Sequence, residues 1–146
     1  MKSSMEYCNY DKESHTSIVV YNTELGHFKG LAFLHPEDME FESSFFGCDI
    51  AERRAVIKYH KERLKIKKAI LKEFKNLYKE MSTSKRFVAF SYEACRLRKK
   101  MYQLNNEIIG IADTIKTIEE GISKDSERRI STLKKIRNKK REDKTD

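Results

Sequence analysis

Four side chains that could bind a metal ion or act in catalysis fall in the first third of the chain. They are His27, His35, Asp38 and Cys48, which supply the imidazole, carboxylate and thiolate groups that zinc prefers. Their spacings do not match those of known zinc sites, and no HxxxH pair on a helix accompanies them. His35, directly before Pro36, fits the end of a strand, and Cys48 fits a small buried residue beside a helix start. We therefore expect no metal, no cofactor and no enzymatic activity.

Other catalytic signals are also missing from the sequence. It contains no GxGxxG or Walker A loop and no serine nucleophile elbow. Three cysteines, Cys8, Cys48 and Cys95, are odd in number and share no CxxC spacing, which favours free thiols over a disulfide framework. No apolar run approaches the roughly 18 residues of a membrane span. The sequence predicts a soluble cytoplasmic protein.

Basic side chains form the best candidate binding surface. One set recurs mostly every three or four residues and could follow a phosphate backbone along one helix face; the other set lies near the C-terminus. The first set is Arg53, Arg54, Lys58, Lys61, Lys65, Lys68 and Lys72, and the second is Lys134, Lys135, Lys139, Lys140 and Arg141. No bZIP, C2H2 or RNP pattern that would read bases is present. Tyr59, Phe74 and Tyr78 are predicted to be core residues, not stacking platforms.

Charge is segregated along the chain. Residues 1–48 carry three Lys/Arg against eight Asp/Glu, whereas residues 49–81 carry eleven against five and residues 82–146 carry seventeen against ten, for a total of +8. The basic part could bind phosphates, an acidic protein surface or the protein's own acidic N-terminal region, or it could be only the solvated face of long helices.

A repeat of 3.5 residues dominates the second half of the sequence and predicts a helix-helix seam of the coiled-coil type. Its steps alternate between four and three over Leu97, Met101, Leu104, Ile108, Ile111, Ile115, Ile118 and Ile122. The seam could close within one chain, or between copies, because isoleucine at most positions also suits trimers and tetramers.

These elements predict a mainly α protein, a long antiparallel helical hairpin of coiled-coil type with a small N-terminal β-hairpin. Residues 1–48 form an acidic segment whose β-hairpin covers about 17–34, and residues 1–16 are expected to be loosely ordered. Residues 49–146 form the helical hairpin, with helices at about 49–81 and 91–122, the second extending or restarting to about 140. Asp49 with Glu52, and Ser91, are the predicted helix caps. We favour continuation past Ile122, since Gly121 costs only ~1 kcal/mol in a helix.

One pattern resembles small uncharacterised accessory proteins of phages and prophages from low-GC Gram-positive bacteria. It comprises Gly30-x-Ala32-x-x-His35-Pro36-x-Asp38, then Gly47-Cys48-x-Ile50-Ala51-x-x-Arg54-Ala55-x-Ile57-Lys58-Tyr59, and it extends to Ser91-Tyr-Glu-Ala94. This resemblance carries no known activity, but it implies a viral protein in the host cytoplasm. We expect a non-enzymatic protein that binds and inhibits a host nucleic-acid-targeting or immune effector, of anti-CRISPR or other anti-defence type. The alternative is a nucleic-acid-binding accessory protein that contacts the phosphate backbone. Self-association through the seam or the β-hairpin is compatible with either.

Overall fold

The computed structural model describes residues 4–34, 44–84, 86–88 and 91–145. Its elements are β1 (Ser4–Asp11), β2 (Thr16–Thr23), β3 (Gly26–Phe33), α1 (Ser44–Thr83) and α2 (Tyr92–Thr145). The prediction of a mainly helical protein is confirmed, and the N-terminal part, predicted as a β-hairpin, is a small three-stranded antiparallel sheet. The chain divides into two compact units. We name residues 1–59 with 116–146 the sheet unit, and residues 60–115 the helical unit.

The sheet is antiparallel with strand order β1-β2-β3. The predicted hairpin is present as β2 and β3, which pair from Thr16↔Phe33 to Thr23↔Gly26. At its turn, the Thr23 hydroxyl accepts from the Leu25 N–H at 3.1 Å and donates to the Gly26 carbonyl at 2.9 Å. Gly26 has a φ of 117°, which only glycine adopts without strain. The turn residues therefore fix the register of the two strands.

The expectation that residues 1–16 are loosely ordered is wrong for β1. This strand pairs with β2 from Ser4↔Asn22 to Asp11↔Thr16, with an irregularity between Met5 and Tyr7. Met5 and Tyr7 are both half-exposed. The strand therefore shows no alternation of buried apolar and exposed polar residues, which is the pattern that predicts a strand from sequence. Backbone hydrogen bonds to β2 supply the pairing instead.

Small residues let the first turns of α1 approach the sheet closely. A Cβ atom on Gly30 would overlap the backbone carbonyl of Ala51, and one on Gly47 would overlap the Ser17 hydroxyl. Ala51 and Ser17 are almost fully buried at this contact. The adjoining core joins β2 and β3 to α1 through Val19, Ala32, Ile50 and Ala51, with Phe46, Cys48 and Ile122 packed against it.

The N-terminus of α1 lies five residues before the predicted one. The helix begins at Ser44, so the prediction of Asp49 as a cap, with Glu52 reaching back, is wrong. Asp49 instead lies in the second turn, where its carboxylate binds Arg53 at 3.1 Å. Phe46, in the first turn of the helix, is half-buried.

The predicted continuation of the second helix past Ile122 is confirmed, because α2 runs unbroken to Thr145. Its start is capped as predicted: the Ser91 hydroxyl accepts from the Ala94 N–H at 3.3 Å. The apolar repeat fails at Asp125 and Arg129, yet both are half-buried. Asp125 accepts from Arg53 at 2.6 Å, and the Arg129 guanidinium lies 4.6 Å from the centre of the Phe46 ring.

In the helical unit, α1 and α2 are linked by an ion pair between Lys67 and Glu107 and by a hydrogen bond from Arg98 to Tyr78. Leu71, Ala94, Ile111 and Ile115 are buried in this unit. Within the described parts of the chain, no helix combines the length and the hydropathy needed to cross a membrane.

Candidate functional site

The first three residues of the predicted basic set on α1 already form ion pairs or hydrogen bonds within the sheet unit. Arg53 is bound by Asp49 and Asp125. Arg54 donates to the Leu31 carbonyl at 2.8 Å, and the Lys58 ammonium donates to the Lys29 carbonyl. These side chains hold α1 against α2 and β3, so they are poor candidates for contacting a partner.

The remaining predicted residues on α1 belong to a longer line of lysines in the helical unit. We name this line the lysine row: Lys61, Lys65, Lys68, Lys72, Lys75 and Lys79, all exposed. Their steps are four, three, four, three and four, so the row repeats every 3.5 residues. The first four members were predicted from the sequence, whereas Lys75 and Lys79 were not, although the same spacing reaches both.

The row stays on one side of α1 because it repeats with the same period as the buried residues of that helix. Leu64, Leu71 and Tyr78 are buried or half-buried at intervals of seven, so residues offset from them by a constant amount also stay in line. At 1.5 Å per residue, successive lysines advance by about 5 Å and the whole row spans about 27 Å. The helix therefore presents a regular line of positive charge.

The charges of the row are largely uncompensated. Among the described residues, Lys65, Lys68, Lys72, Lys75 and Lys79 make no ion pair or hydrogen bond through their ammonium groups. Neighbouring cations repel one another, and an anion bound beside them lowers the electrostatic energy. This line is thus a ready site for a polyanion.

Lys67 lies next to Lys68 but outside the lysine row, and it forms an ion pair with α2. Its ammonium binds the Glu107 carboxylate at 2.9 Å, and its side chain is only 34% exposed. Lys67 follows Leu64 by three residues and precedes Leu71 by four, so it occupies a position of the helix-helix contact. One residue further on, Lys68 is exposed. The contact face and the row are therefore distinct surfaces of one helix.

A histidine also occupies this contact face. His60 is half-buried, and Nη1 of Arg63 lies 3.2 Å from its Nδ1. A guanidinium can only donate, so we assign Nδ1 as the acceptor. Burial lowers the pKa of His60, and the nearby charge of Arg63 lowers it further. The folded protein favours the neutral imidazole.

The three aromatic residues predicted to be core all have protein contacts. Tyr59 packs against Phe28 with ring centres 5.8 Å apart, and its hydroxyl donates to Glu24. Tyr78 contacts the Phe87 ring at 6.0 Å and accepts from Arg98 at 2.9 Å. The Lys100 ammonium lies 5.8 Å from the centre of the Phe74 ring. Each of these half-buried rings therefore already packs against a protein neighbour.

The predicted C-terminal set is exposed but forms no comparable line. Lys134 and Lys135 are consecutive, as are the three residues 139–141, and consecutive helical residues point about 100° apart. These charges surround α2 and do not follow one side of it.

The eight predicted seam residues of α2 are each buried or half-buried, in contrast to the exposed C-terminal set.

The metal or catalytic set is not assembled in the described chain. His35 and Asp38 lie outside the described residues, and His27 is exposed on β3. Within residues 4–34, 44–84, 86–88 and 91–145, no group of three potential ligands that could hold a metal ion occurs. Cys48 is instead paired with Cys8 in a disulfide, with Cα atoms 6.5 Å apart. The expectation of free thiols is therefore wrong for these two cysteines; Cys95 is free and exposed.

A cavity in the sheet unit is a second candidate site beside basic groups. It has a volume of about 130 Å³ and is lined in part by His15, Phe46, Arg54 and Arg129. Both guanidinium groups already have protein partners, Arg54 at the Leu31 carbonyl and Arg129 over Phe46. An anion would have to compete with these contacts.

Comparison with known proteins gives no family for this chain. No protein-family model matches it, and neither a curated protein nor a solved structure is significantly similar to it. The functional interpretation therefore depends on the chain's own residues.

Proposed function

We propose that this protein is a non-enzymatic interaction protein that binds the phosphate backbone of a nucleic acid through the lysine row. The observation that carries the proposal is the row itself, six exposed lysines along one side of α1 over a length of about 27 Å. A nucleic-acid strand is a periodic line of negative charge, and each phosphate neutralised by a lysine releases condensed counterions. A helix with this surface binds without reading sequence, because it offers charge and no base-edge contacts.

We further propose that α1 and α2 form an antiparallel, coiled-coil-like hairpin that keeps the row straight. The contacts of the helical unit support this arrangement. From Arg98 through Lys100 to Glu107, the numbering on α2 rises, while the partners on α1 fall from Tyr78 through Phe74 to Lys67. A packed partner helix resists bending of α1, so the lysines stay in line when a polyanion is bound.

The biological target that we propose is a host nucleic-acid-targeting or immune effector, which the protein inhibits in the host cytoplasm. Such an effector carries guide or target strands, and the lysine row supports a contact with their backbone. The net charge of +8 argues against mimicry of DNA, which needs the opposite sign. A free nucleic acid as the natural partner is the alternative, and the same surface serves it.

The direct test measures binding of the full chain to a labelled 20-nucleotide strand by fluorescence anisotropy, as a function of salt. The test variant carries Lys65→Gln, Lys68→Gln, Lys72→Gln and Lys75→Gln. The matched control removes four exposed charges of α2 by Lys99→Gln, Lys116→Gln, Lys124→Gln and Arg128→Gln, so both variants have the same net charge.

We expect the row variant to lose affinity and the slope of log K against log salt to become shallower by about 3, at roughly 0.7 per phosphate contact. The control variant should change the slope by less than about 0.7, the value for one phosphate contact. Equal losses in the two variants would show that net charge alone is responsible and would overturn the proposed site. Equal binding of polyglutamate would identify an acidic protein as the partner instead.

A second experiment separates an effector from free nucleic acid. The tagged protein is purified from its host with its partners bound, and the complex is analysed by size-exclusion light scattering with its absorbance ratio. A discrete protein partner, lost in the row variant, is expected for the inhibitor. Nucleic acid alone would favour the alternative, and the scattering mass also reports any homo-oligomer.

A further inference from the structure

A second exposed line of residues runs along α2 in the helical unit. Cys95, Tyr102 and Ile109 follow one another at intervals of seven and are all exposed, Tyr102 by 69% and Ile109 by 52%. They lie outside the seam, whose nearest members are Met101 and Ile108. Large apolar side chains in this position gain nothing from the helix-helix contact.

The contacts between the helices indicate which flank this line occupies. Arg98 of α2 donates to Tyr78 of α1, and Tyr78 lies one turn from Lys75, a member of the lysine row. Tyr102 follows Arg98 by one turn and so lies on the same flank of α2. Lys100 lies on the opposite flank, over Phe74. The line on α2 and the lysine row therefore share one face of the helical unit.

The order of the contacts also sets the level of Tyr102 along that face. Tyr102 follows Arg98, the partner of Tyr78, by four residues. Because the contacts run in opposite directions along the two helices, the matching level on α1 lies four residues before Tyr78, between Lys72 and Lys75. Packed helices lie about 8–10 Å apart, a distance comparable to the reach from a phosphate to its own base. Among the described residues, the Tyr102 hydroxyl has no hydrogen-bond partner.

We propose that the lysine row and Tyr102 form a binding face for single-stranded nucleic acid, with Tyr102 stacking on an unpaired base. The inference rests on the proposed function, because the row must hold the phosphates. Charge complementarity selects a polyanion, and the exposed ring beside it selects one with accessible base faces. In a duplex those faces are covered by neighbouring base pairs, so a stacking side chain favours a single strand.

The test compares the full chain with Tyr102→Leu and Tyr102→Phe variants on a labelled 20-nucleotide single strand and on the matching 20-base-pair duplex. Tyr92→Leu is the matched control, since Tyr92 is 78% exposed on the same helix but about 80° away around its axis. We expect Tyr102→Leu to weaken single-strand binding roughly 5- to 100-fold, the effect of one stacked base. Tyr102→Phe and Tyr92→Leu should stay within twofold of the unmodified protein, and duplex binding should not change.

Fluorescence provides a readout that a purely structural role would not alter. The chain contains no tryptophan, so a Tyr102→Trp variant has a single indole at the site. Stacking on a base should quench its emission when the single strand is added, while a Tyr92→Trp variant should stay unquenched.

The outcomes separate this inference from the proposed function. If Tyr102→Leu binds the single strand like the unmodified protein while the row variant does not, the stacking role is overturned and backbone binding stands. The same conclusion follows from tighter binding to duplex than to single strand. If the row variant also binds normally, both proposals fail.

Discussion

Gly30 of β3 lies so close to Ala51 of α1 that a single added methyl group would overlap the Ala51 carbonyl. The neighbouring N–H of Ala55 would also be within 2.7 Å of that methyl group. Backbone atoms cannot rotate away as a side chain can, so either the strand or the helix would have to move. The docking of α1 on the sheet therefore depends on the absence of a side chain at one position.

We predict that Gly30→Ala lowers the free energy of unfolding by about 1–3 kcal/mol, the usual cost of overpacking. Gly110→Ala is the matched control, because its new Cβ would meet nothing within 4 Å. In the middle of α2 it should raise stability by about 1 kcal/mol through helix propensity. Urea titration followed by circular dichroism measures both. A neutral Gly30→Ala would mean that α1 docks less closely than described.

The polar contact at Lys67 gives a second prediction. Lys67→Leu should raise the free energy of unfolding by about 1 kcal/mol, because the partly exposed ion pair with Glu107 contributes less than about 1 kcal/mol, whereas leucine would bury apolar surface in the helix-helix contact. It should also permit other helix registers and oligomeric states, since a polar residue in a seam restricts both. Thermal unfolding and light scattering report the two effects. Lys68→Leu, one residue away on the exposed row, should bring no such gain in stability.

Acidification should destabilise the protein through His60. Its pKa is lowered in the folded state by burial and by Arg63, so below the unfolded-state pKa of about 6.5 the unfolded chain binds more protons. The stabilising contribution of His60 is thus complete above about pH 6.5 and is lost as the pH falls through the folded-state pKa. Unfolding measured from pH 7.5 to 5 should show this decline, and His60→Gln should make it shallower. An unchanged decline in that variant would assign the effect to other groups.

Reduction of the Cys8–Cys48 pair should lower stability by about 2–4 kcal/mol, the range expected for closing a loop of this length. The two cysteines are separated by 40 residues, so the bond restricts a large part of the unfolded chain. Thermal unfolding with and without dithiothreitol tests this in a Cys95→Ser background, which removes the exposed third thiol. A Cys8→Ser variant should lose its response to the reductant. A protein equally stable in both conditions would contradict the pairing.

The sequence was most informative where spacing alone determines position. The steps from Leu97 to Ile122 predicted a line of eight residues that are all buried or half-buried, because a 3.5-residue period keeps one side of a helix inward whatever it packs on. The same logic identified four members of the lysine row. Lys75 and Lys79 were missed because the basic set was ended at Lys72, although the period continues.

Features that depend on distant parts of the chain were not predictable in this way. Cys8 and Cys48 meet only because β1 joins the sheet on which α1 docks, and neither strand nor docking leaves a local signal. The helix start at Ser44 was obscured by Asp49 and Glu52, whose types and spacing imitate a cap. Burial also differs between apolar residues of α1 that look alike in the sequence: Leu71 is 8% exposed, whereas Leu77 is 51% exposed.

The hydrogen bonds from Arg54 and Lys58 to the carbonyls of Leu31 and Lys29 also decide how the sheet can grow. These two carbonyls lie on the open side of β3, where an added strand would seek its acceptors. Because basic side chains already occupy them, a further strand that pairs along this edge must first displace two hydrogen bonds.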